Sequence, residues 1–436
     1  MPNLTHFTSG NRYPALLMFL LPFLITACFN PEPEDYGLAL EAVDVVCVEA
    51  TFRVTASGVP ETWTCGLYRD DSLVVTETLS GQSGYIRDTG LLPEADYTYH
   101  ISYMKDGRDK DRSDPVAVTT LDTTSHDFTW TVETLGDAGS YLNDVAIVDE
   151  NNIYVVGEIR SDSGWYNIGI WNNNQWKFDL VGPVGNILYS VFAFSNNDIW
   201  VSNACSPYHW DGNEWTYYRF SSNGVGVNAC AGKAIWGSSS DNVWFAGNNG
   251  TLVHYDGSRF RRVESGTDVT LRQISGTADG QYVFIAGIDY ILPSKTTALM
   301  INNNQVVKLF YSDELNPVSP DEYGYISAVD VYGPVAYFVT YRGLWKYYYS
   351  DNVSFIDMKL MRYNFPKLII QSPSDMAVIA GAFGFRVFNG IHWTDRKDLS
   401  SGTDYYTEQG DYKGNTLVIV GIDKSSMKGL VAIGNR

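Results

Sequence analysis

Two histidines stand in nearly the same short motif and are the first candidates for chemistry. His209 lies in Tyr-His-Trp-Asp-Gly and His254 in Val-His-Tyr-Asp-Gly. An imidazole can transfer protons or bind a metal ion, but a histidine that recurs at one position of a repeated motif is typical of a packing role. The sequence also has no loop with the alternating carboxylates of a calcium site. We therefore predict no metal site and no cofactor.

The sequence motifs of common enzymes are missing. The chain contains no Gly-x-Ser-x-Gly, no His-Glu-x-x-His and no phosphate-binding loop. Residues 161–165, Ser-Asp-Ser-Gly-Trp, are too short to match the Asp-box turn of sialidase-like enzymes. A pair of catalytic carboxylates stays open, because the sequence does not show which Asp and Glu side chains converge. We predict no catalytic residue and favour binding over catalysis.

An apolar run over residues 15–26 follows Arg12. It is too short for a bilayer span, which needs about 20 residues, and it fits the core of a signal peptide. Residues 25–28, Ile-Thr-Ala-Cys, resemble the lipobox of bacterial lipoproteins. In that family the cysteine is acylated and the chain is cleaved just before it, so the resemblance implies lipid attachment at Cys28.

This resemblance sets the expected location and the start of the mature chain. We predict a lipoprotein signal peptide over residues 1–27 and an acidic tether over residues 28–36. The membrane is then a partner through the N-terminal lipid. The expected location is the bacterial cell envelope, at the outer membrane, on its periplasmic face or at the cell surface.

A repeated unit fills the second part of the chain. Its clearest element is an apolar second strand, which occurs at residues 153–157, 199–203, 243–247, 283–287, 336–340, 377–381 and 417–421. A period of about 44 residues with four strands per unit is typical of propeller blades. We predict an all-β chain with a seven-bladed β-propeller over residues 127–436.

The two ends of the repeat region complement each other. The last unit stops at Arg436, where its fourth strand should begin, and residues 129–135 before the first unit match residues 214–220. We predict that residues 129–135 supply the outer strand of the last blade. Residues 241–257 resemble the Trp-rich repeats of secreted bacterial propellers, loosely related to photosystem assembly factors and sialidase-like proteins. The resemblance implies the fold and no particular activity.

In a propeller, the loops between second and third strands open on one face. Exposed aromatic side chains with a few polar groups suit sugar or peptide recognition, whereas packing of each loop onto its blade is the alternative. The candidate ligand-binding residues on this face are Arg160, Trp165, Tyr166, Tyr290, Tyr341, Arg342 and Phe383. Cys205 and Cys230 are neighbours there and are a candidate disulfide.

Residues 37–121 show short alternating strands broken by turns, a pattern that predicts a β-sandwich. Residues 91–99 resemble the approach to strand F of fibronectin type III domains. In those domains a tyrosine hydroxyl holds the corner, and Tyr97 is the candidate here, with Trp63 the candidate for the early tryptophan. Cys47 and Cys65 lie in different strands of this module, where a disulfide and free thiols are both open.

The formal net charge of −20 over 436 residues repels phosphate backbones, so we expect no nucleic-acid partner. The expected protein is a monomeric, lipid-anchored envelope protein. Its fibronectin type III-like β-sandwich is followed by a propeller that binds a protein, peptide or glycan. The alternatives are a glycan hydrolase or lyase acting at the propeller funnel and a structural subunit of an envelope assembly.

Overall fold

The computed structural model describes residues 35–172, 174–226, 230–289, 295–313, 325–340, 343–357, 367–379, 381, 384–396 and 405–436. These residues form β-strands joined by turns, with short 3-10 segments at Phe220–Ser222 and Asn248–Gly250. Over these ranges, no helix has the length and hydropathy needed to cross a membrane. The predicted signal peptide, Cys28 and the tether up to residue 34 lie outside the described residues.

The N-terminal module consists of two antiparallel sheets that enclose one apolar core. One sheet has the order β1-β2-β5 and the other β4-β3-β6-β7, with β8 also paired to β6. The strands are β1 Ala39–Val45, β2 Glu49–Thr55, β3 Thr62–Arg69, β4 Ser72–Ser80, β5 Ser83–Thr89, β6 Asp96–Lys105, β7 Arg108–Arg112 and β8 Val116–Thr119.

Tyrosine and tryptophan side chains organise this module. Tyr99 of β6 lies with its ring centre 4.6 Å from that of Phe52 in the core. Trp63 is buried and donates its indole N–H to the carbonyl of Gly81. At the corner before β6, the hydroxyl of Tyr97 accepts the backbone N–H of Leu92 at 3.0 Å. This bond fixes the chain where it crosses from one sheet to the other.

The two cysteines of the module are separate buried thiols, so the Cys47–Cys65 disulfide that the sequence left open is not formed. Cys65 lies in β3 inside the sandwich core, where burial raises the pKa of its thiol to about 12. Cys47 lies between β1 and β2 at the edge of the module and donates to the carbonyl of Asp122. The two thiols face different surroundings, so neither offers the other a partner.

The remaining strands form seven four-stranded antiparallel sheets. In chain order, the first four sheets are β10 Tyr141–Asp149, β11 Asn152–Ser161, β12 Gly164–Asn172 and β13 Gln175–Asp179; β14 Ser190–Ser195, β15 Asp198–Ser202, β16 Pro207–Trp210 and β17 Trp215–Tyr217; β18 Ala234–Ser239, β19 Asn242–Ala246, β20 Thr251–Tyr255 and β21 Phe260–Glu264; and β22 Leu271–Gly276, β23 Tyr282–Asp289, β24 Lys295–Asn302 and β25 Gln305–Ser312. The last three are β26 Ile326–Tyr332, β27 Val335–Thr340, β28 Gly343–Tyr348 and β29 Val353–Asp357; β30 Lys367–Ser372, β31 Asp375–Ile379, β32 Phe385–Phe388 and β33 Trp393–Arg396; and β34 Tyr405–Lys413, β35 Thr416–Asp423, β36 Lys428–Asn435 and β9 Thr129–Leu135.

The seven sheets follow one another around a common axis. An apolar core lies between each sheet and the next, and the last sheet shares such a core with the first. The first strand of each sheet contacts the first strand of the next, and β34 contacts β10. β9 pairs antiparallel with β36, from Gly429 opposite Leu135 to Asn435 opposite Thr129, which is the position that the sequence predicted. This arrangement is a β-propeller whose last sheet is completed by β9, the strand that precedes the first sheet in the chain.

Three hairpin turns that contain an Asp-Gly or Asn-Gly pair share the same hydrogen-bond pattern. The side-chain oxygen of Asp211, Asp256 or Asn389 accepts backbone N–H groups two and three residues later. The glycine after each has φ between 84° and 95°, a conformation that a side chain would oppose. The turn residues therefore fix where third strands end and fourth strands begin.

Buried polar contacts fix the sandwich to the fifth sheet. Lys346 of β28 donates to Glu49 and lies 3.7 Å from the carboxylate of Asp44, and each of these side chains is at most 7% exposed. Tyr348 donates its hydroxyl to Asp44 at 2.9 Å. Tyr85 of the sandwich packs against the apolar core between the fifth and sixth sheets. The two domains therefore share an interface in which the buried Lys346 ammonium meets the carboxylates of Asp44 and Glu49.

Replacing Lys346 with alanine leaves Asp44 and Glu49 buried without their common counter-charge. We expect Lys346→Ala to lower the free energy of unfolding by about 3 kcal/mol, because an unpaired buried charge is costly. Denaturant titration measures this change. The control is Arg53→Ala, which removes a more exposed ion pair with Asp351 across the same interface and should change stability by about 1 kcal/mol or less. Equal losses of stability in the two variants would contradict the role of Lys346 as the buried counter-charge of Asp44 and Glu49.

Candidate functional site

Three of the sequence-predicted ligand residues lie on the β11–β12 hairpin of the first sheet. Glu158 accepts hydrogen bonds from Arg160 Nε at 2.7 Å and from Trp165 Nε1 at 3.0 Å. Tyr166 packs against the ring of Phe178, with 6.0 Å between ring centres. Arg160 is therefore a half-exposed cation, while Trp165 and Tyr166 pack partly onto their own blade. The other four candidates, Tyr290, Tyr341, Arg342 and Phe383, lie outside the described residues.

The first strands of all seven sheets line a central channel, which opens into a cavity of about 310 Å³ at their N-terminal ends. We call this cavity the channel mouth. The residues that line it are Asn143, Tyr189, Lys233, Arg272, Gln273, Ser327, Gly381, Tyr406, Thr407, Glu408 and Gln409. Among the described residues, Arg160, Trp165 and Tyr166 are not part of this lining, so the hairpin and the mouth are separate candidate sites.

β-Bulges place one side chain of several first strands at the mouth. In β10, Leu142 and Asp144 oppose the consecutive residues Gly157 and Val156, so Asn143 is an extra residue. The same irregularity occurs in β22, β26 and β34, where the extra residues are Arg272, Ser327 and Glu408. A bulge redirects a side chain without ending the strand. The fold therefore presents these four residues at equivalent positions around the mouth.

In the second and third sheets, Tyr189 and Lys233 directly precede the first strand. Their backbone N–H groups bond to the carbonyls of Ser202 and Ala246 on the second strands. Lys233 Nζ lies 4.3 Å from the centre of the Tyr189 ring, in a cation–π contact between neighbouring sheets. Tyr189 and Lys233 therefore occupy the position at the mouth that bulge residues occupy in four of the other sheets.

A disulfide braces the segment before Lys233. Cys205, after β15, is bonded to Cys230, which is 25 residues later. Next to it, the N–H of Gly232 donates to the carbonyl of Ala204, and the Ser202 hydroxyl donates to the carbonyl of Gly232. The connection between the second and third sheets is therefore cross-linked close to the mouth.

Three charged side chains share the mouth. Burial lowers the pKa of Lys233, and the nearby charge of Arg272 lowers it further, while Glu408 acts in the opposite direction. Burial by the channel walls raises the pKa of Glu408, against the attraction of Lys233 and Arg272. Arg272 is held by a hydrogen bond from its Nε to the carbonyl of Ile288. Two cations and one carboxylate therefore act on one another across the cavity.

Three carboxylates deeper in the channel join neighbouring first strands. Asp144 accepts the hydroxyl and the backbone N–H of the next sheet at Ser190 and Val191. Asp411 accepts the N–H of Ile147. Asp330 accepts the N–H of Ile370 and the hydroxyl of Ser275, one from each neighbouring sheet. These hydrogen bonds occupy the carboxylates in holding blades together.

The two repeat histidines also have structural contacts. His209 Nε2 lies 2.8 Å from Asp198, and its ring stacks on Trp200. His254 Nε2 lies 2.7 Å from Asn242, and its ring stacks on Trp244 in the same way. The described part of the chain contains no group of three His, Cys, Asp or Glu side chains able to hold a metal ion.

These observations define an all-β chain whose larger part is a β-propeller. Among solved structures, it is similar to the extracellular domain of the putative one component system BT4673 from B. thetaiotaomicron, at 10% identity over 70% of this chain and 40% of that chain, with a TM-score of 0.50. It is also similar to YCF48 bound to D1 peptide, at 12% identity over 70% and 97% of the two chains, with a TM-score of 0.48. A Bacteroides thetaiotaomicron VPI-5482 protein of unknown function aligns at 9% identity over 91% and 98%, with a TM-score of 0.37.

At such identities a structural similarity concerns the fold alone. No family model matches the sequence, and no curated protein matches it. The geometry of the mouth and of the hairpin therefore carries the functional argument.

The apolar pattern of the second strands does not identify five residues of the mouth, because these residues lie at the start of first strands. They are Tyr189, Lys233, Arg272, Tyr406 and Glu408. When the repeats are aligned on their second strands, the start of the preceding strand carries a polar or aromatic residue. An apolar pattern does not single out this residue, because a bulge leaves no mark in it.

The channel carboxylates predict an unusual pH dependence. Burial raises the pKa of Asp411 above its value in the unfolded chain, so the folded state retains this proton to higher pH. Stability from this group is therefore greatest at low pH and is lost as the pH rises through the folded pKa. Denaturation at about pH 4 and about pH 7 measures the stability of the wild type minus that of Asp411→Asn. We expect this difference to decrease with rising pH.

The control for this experiment is Asp256→Asn. Hydrogen bonds from the Ser258 hydroxyl and the Arg259 N–H lower the pKa of Asp256, so its contribution is present above the unfolded pKa and is lost as the pH falls. The same stability difference should increase with rising pH. If the stability difference for Asp411→Asn also increased with rising pH, the hydrogen bonds of Asp411 would lower its pKa by more than burial raises it.

Proposed function

We propose that this chain is a recognition protein whose propeller binds a protein, peptide or glycan ligand at the channel mouth. The observation that carries the proposal is the composition of the mouth, where two cations, two tyrosines and several amide and hydroxyl groups line one cavity. Concave sites with a few convergent polar groups and rigid rings are typical of ligand pockets. The hairpin of Arg160, Trp165 and Tyr166 is the second candidate site on the propeller.

The carboxylates argue against the glycan hydrolase alternative. Such enzymes ordinarily need two carboxyl groups on either side of the scissile bond. Within the described lining of the mouth, Glu408 supplies one carboxylate. The deeper Asp144, Asp330 and Asp411 accept hydrogen bonds from neighbouring strands, which gives them a structural task. Binding therefore accounts for the mouth with fewer assumptions than catalysis does.

The finer architecture also belongs to this proposal. We infer seven blades, because seven four-stranded sheets share seven intervening cores. We infer a fibronectin type III-like sandwich, supported by the Tyr97 corner bond to Leu92. We further propose a monomer that is held in the bacterial cell envelope by lipid on Cys28. The lipobox-like residues 25–28 support this anchor.

A substitution that fills the channel mouth tests the binding site. The purified protein is screened on glycan and envelope-protein arrays, and each hit is measured again with Glu408→Trp, Glu408→Gln and Trp165→Ala. The Glu408 side chain lines the cavity, so an indole at this position fills it, and we expect affinity to fall about tenfold or more. Glu408→Gln keeps the size of the side chain and should leave the site open.

The hairpin variant separates the two candidate sites. Binding that is lost in Trp165→Ala and retained in Glu408→Trp would place the ligand on the hairpin and contradict the mouth. Release of reducing sugar ends by the wild type, abolished in Glu408→Gln, would favour the hydrolase instead.

The anchor has its own test. In a bacterial host, the wild-type chain should incorporate labelled fatty acid and sediment with the envelope, because the Cys28 thiol accepts the acyl group. Cys28→Ser should lose the label and leave the membrane fraction. Cys47→Ser is the matched control and should keep both properties, because Cys47 is a buried thiol of the folded module. Equal labelling of Cys28→Ser and wild type would refute lipidation at this residue.

A further inference from the structure

Lys346 occupies a position that the fold otherwise fills with apolar side chains. Side chains of β28 alternate between its two faces, and Leu344 and Tyr348, two residues before and after Lys346, pack in the apolar core between the fifth and sixth sheets. Lys346 lies on the same face, is buried, and has its ammonium 6.0 Å from the centre of the Tyr337 ring. Lysine is rarely buried to this extent. The fold therefore places a primary amine in a largely apolar region.

The sandwich supplies two carboxyl groups to this amine. In β1, Ala42 and Asp44 oppose consecutive residues of β2, so Val43 is the extra residue of a β-bulge. Ala42 packs against the sandwich core, whereas Val43 packs against the core between the fifth and sixth sheets. Glu49 begins β2 on the face away from the sandwich core. The bulge in β1 and the alternation of β2 thus direct both carboxyl groups towards the propeller.

The contacts of these side chains are those that formation of an amide requires. Glu49 accepts a hydrogen bond from Lys346 Nζ. The Oδ2 atom of Asp44 lies 3.7 Å from the same nitrogen and accepts the hydroxyl of Tyr348 at 2.9 Å. Arg87 lies 4.0 Å from the second carboxylate oxygen of Glu49 and favours its charged form, which can accept a proton. The amine therefore lies beside one carboxyl group that a hydroxyl polarises and a second that can act as a base.

Burial makes the neutral amine accessible. Removal from water penalises ammonium and carboxylate groups alike, so transfer of a proton from Lys346 to a carboxyl group is easier here than at the surface. Burial also raises the pKa of Tyr348, and the charge of Asp44 adds to this effect, so the tyrosine hydroxyl keeps its proton and remains a donor. The fold holds the reacting groups side by side, which removes the entropic cost of bringing them together.

We propose that Lys346 and Asp44 condense to an amide that joins the propeller covalently to the sandwich. Nζ attacks Cγ of Asp44, so an N–C bond forms and one C–O bond of the carboxyl group breaks. Glu49 transfers the two protons that Nζ loses to the departing oxygen, which leaves as water. Tyr348 donates to the oxygen that remains, which carries negative charge in the tetrahedral intermediate. The step needs no oxidant, reductant or cofactor.

The ion cluster at the domain interface is then the state before condensation, and the amide is its product. The amide links β1 of the sandwich to β28 of the propeller, in addition to the chain segment between β8 and β9. The two domains therefore stay joined when that segment is cut or when the protein is unfolded. This inference concerns the domain interface and is independent of ligand binding at the channel mouth.

Mass spectrometry of the purified protein tests the proposal. After folding, and after reduction of the disulfide, the wild type should be lighter by one water than an unlinked chain. The Lys346→Arg variant, corrected for the substitution, gives the unlinked mass, because arginine keeps the positive charge and its guanidinium is not a nucleophile towards carboxyl groups. Proteolytic digests of the wild type should contain a branched peptide that joins Asp44 to Lys346.

Three further variants assign the roles of the neighbouring side chains. Asp44→Ala removes the acyl group and should abolish the loss of water. Glu49→Gln keeps the amine and the acyl group but cannot accept the protons, so we expect condensation to be about a hundredfold slower. Asp351→Ala is the matched control, because it removes an ion pair with Arg53 across the same interface and should leave the amide unchanged. Circular dichroism of each variant checks that it is folded.

The branched peptide is sought in the wild type, so this result does not depend on whether a variant folds. Folded wild-type protein that has the full mass of the unlinked chain and yields no branched peptide would overturn the proposal. A branched peptide that joins Lys346 to Glu49 would overturn Asp44 as the acyl donor. Condensation in Glu49→Gln at the wild-type rate would overturn the role of Glu49 in proton transfer.

Discussion

The pairing of β9 with β36 is the constraint on which the rest of the propeller depends. Each sheet buries one face against the sheet before it and the other against the sheet after it, so the first and last sheets need each other. Because β9 comes from the N-terminal end of the propeller domain, its pairing with β36 joins the two ends of that domain by backbone hydrogen bonds. Closure also removes the exposed edge that an unpaired β36 would present. The channel and its mouth exist only in the closed ring.

The channel shows how a polar axis is made compatible with apolar blades. Carboxylates at Asp144, Asp330 and Asp411 are costly to bury, but each accepts N–H or hydroxyl groups from adjacent first strands. Lys367 lies in the same channel and lowers the pKa of all three, while burial raises it. Hydrogen bonds thus join the blades along the axis, where side-chain packing is sparse. The mouth differs because the side chains of Lys233 and Glu408 make no hydrogen bond to a neighbouring strand within the described ranges.

The sandwich is a fixed part of the molecule. Its contact with the fifth sheet contains Lys346, Asp44 and Glu49, and the segment that joins the two domains is also bound, with the N–H and the hydroxyl of Thr124 donating to the carbonyls of Asn389 and Ser374. A buried ion cluster adds directional contacts that apolar packing alone lacks. These contacts therefore set the orientation of the propeller relative to the sandwich.

The sequence by itself determined the all-β class, the second strand of every sheet and the pairing of residues 129–135 with the last sheet. The Asp-Gly and Asn-Gly pairs of the turns are likewise visible in the sequence. These features are local or periodic, since apolar alternation and turn residues act within a few positions of the chain. Cys205 and Cys230, which are bonded in the structure, were a candidate disulfide because their loops are neighbours in the repeat.

Only the tertiary structure decided what lies at the channel mouth. Lys233, Arg272 and Glu408 come from three different blades, and ring closure brings them to one cavity. Bulges, which leave no mark in an apolar pattern, turn Arg272 and Glu408 inwards. Likewise, nothing local pairs Lys346 with Glu49 across the domain interface. Such contacts between residues far apart in the chain depend on the packing of whole sheets, and a single sequence does not encode them in a form that spacing reveals.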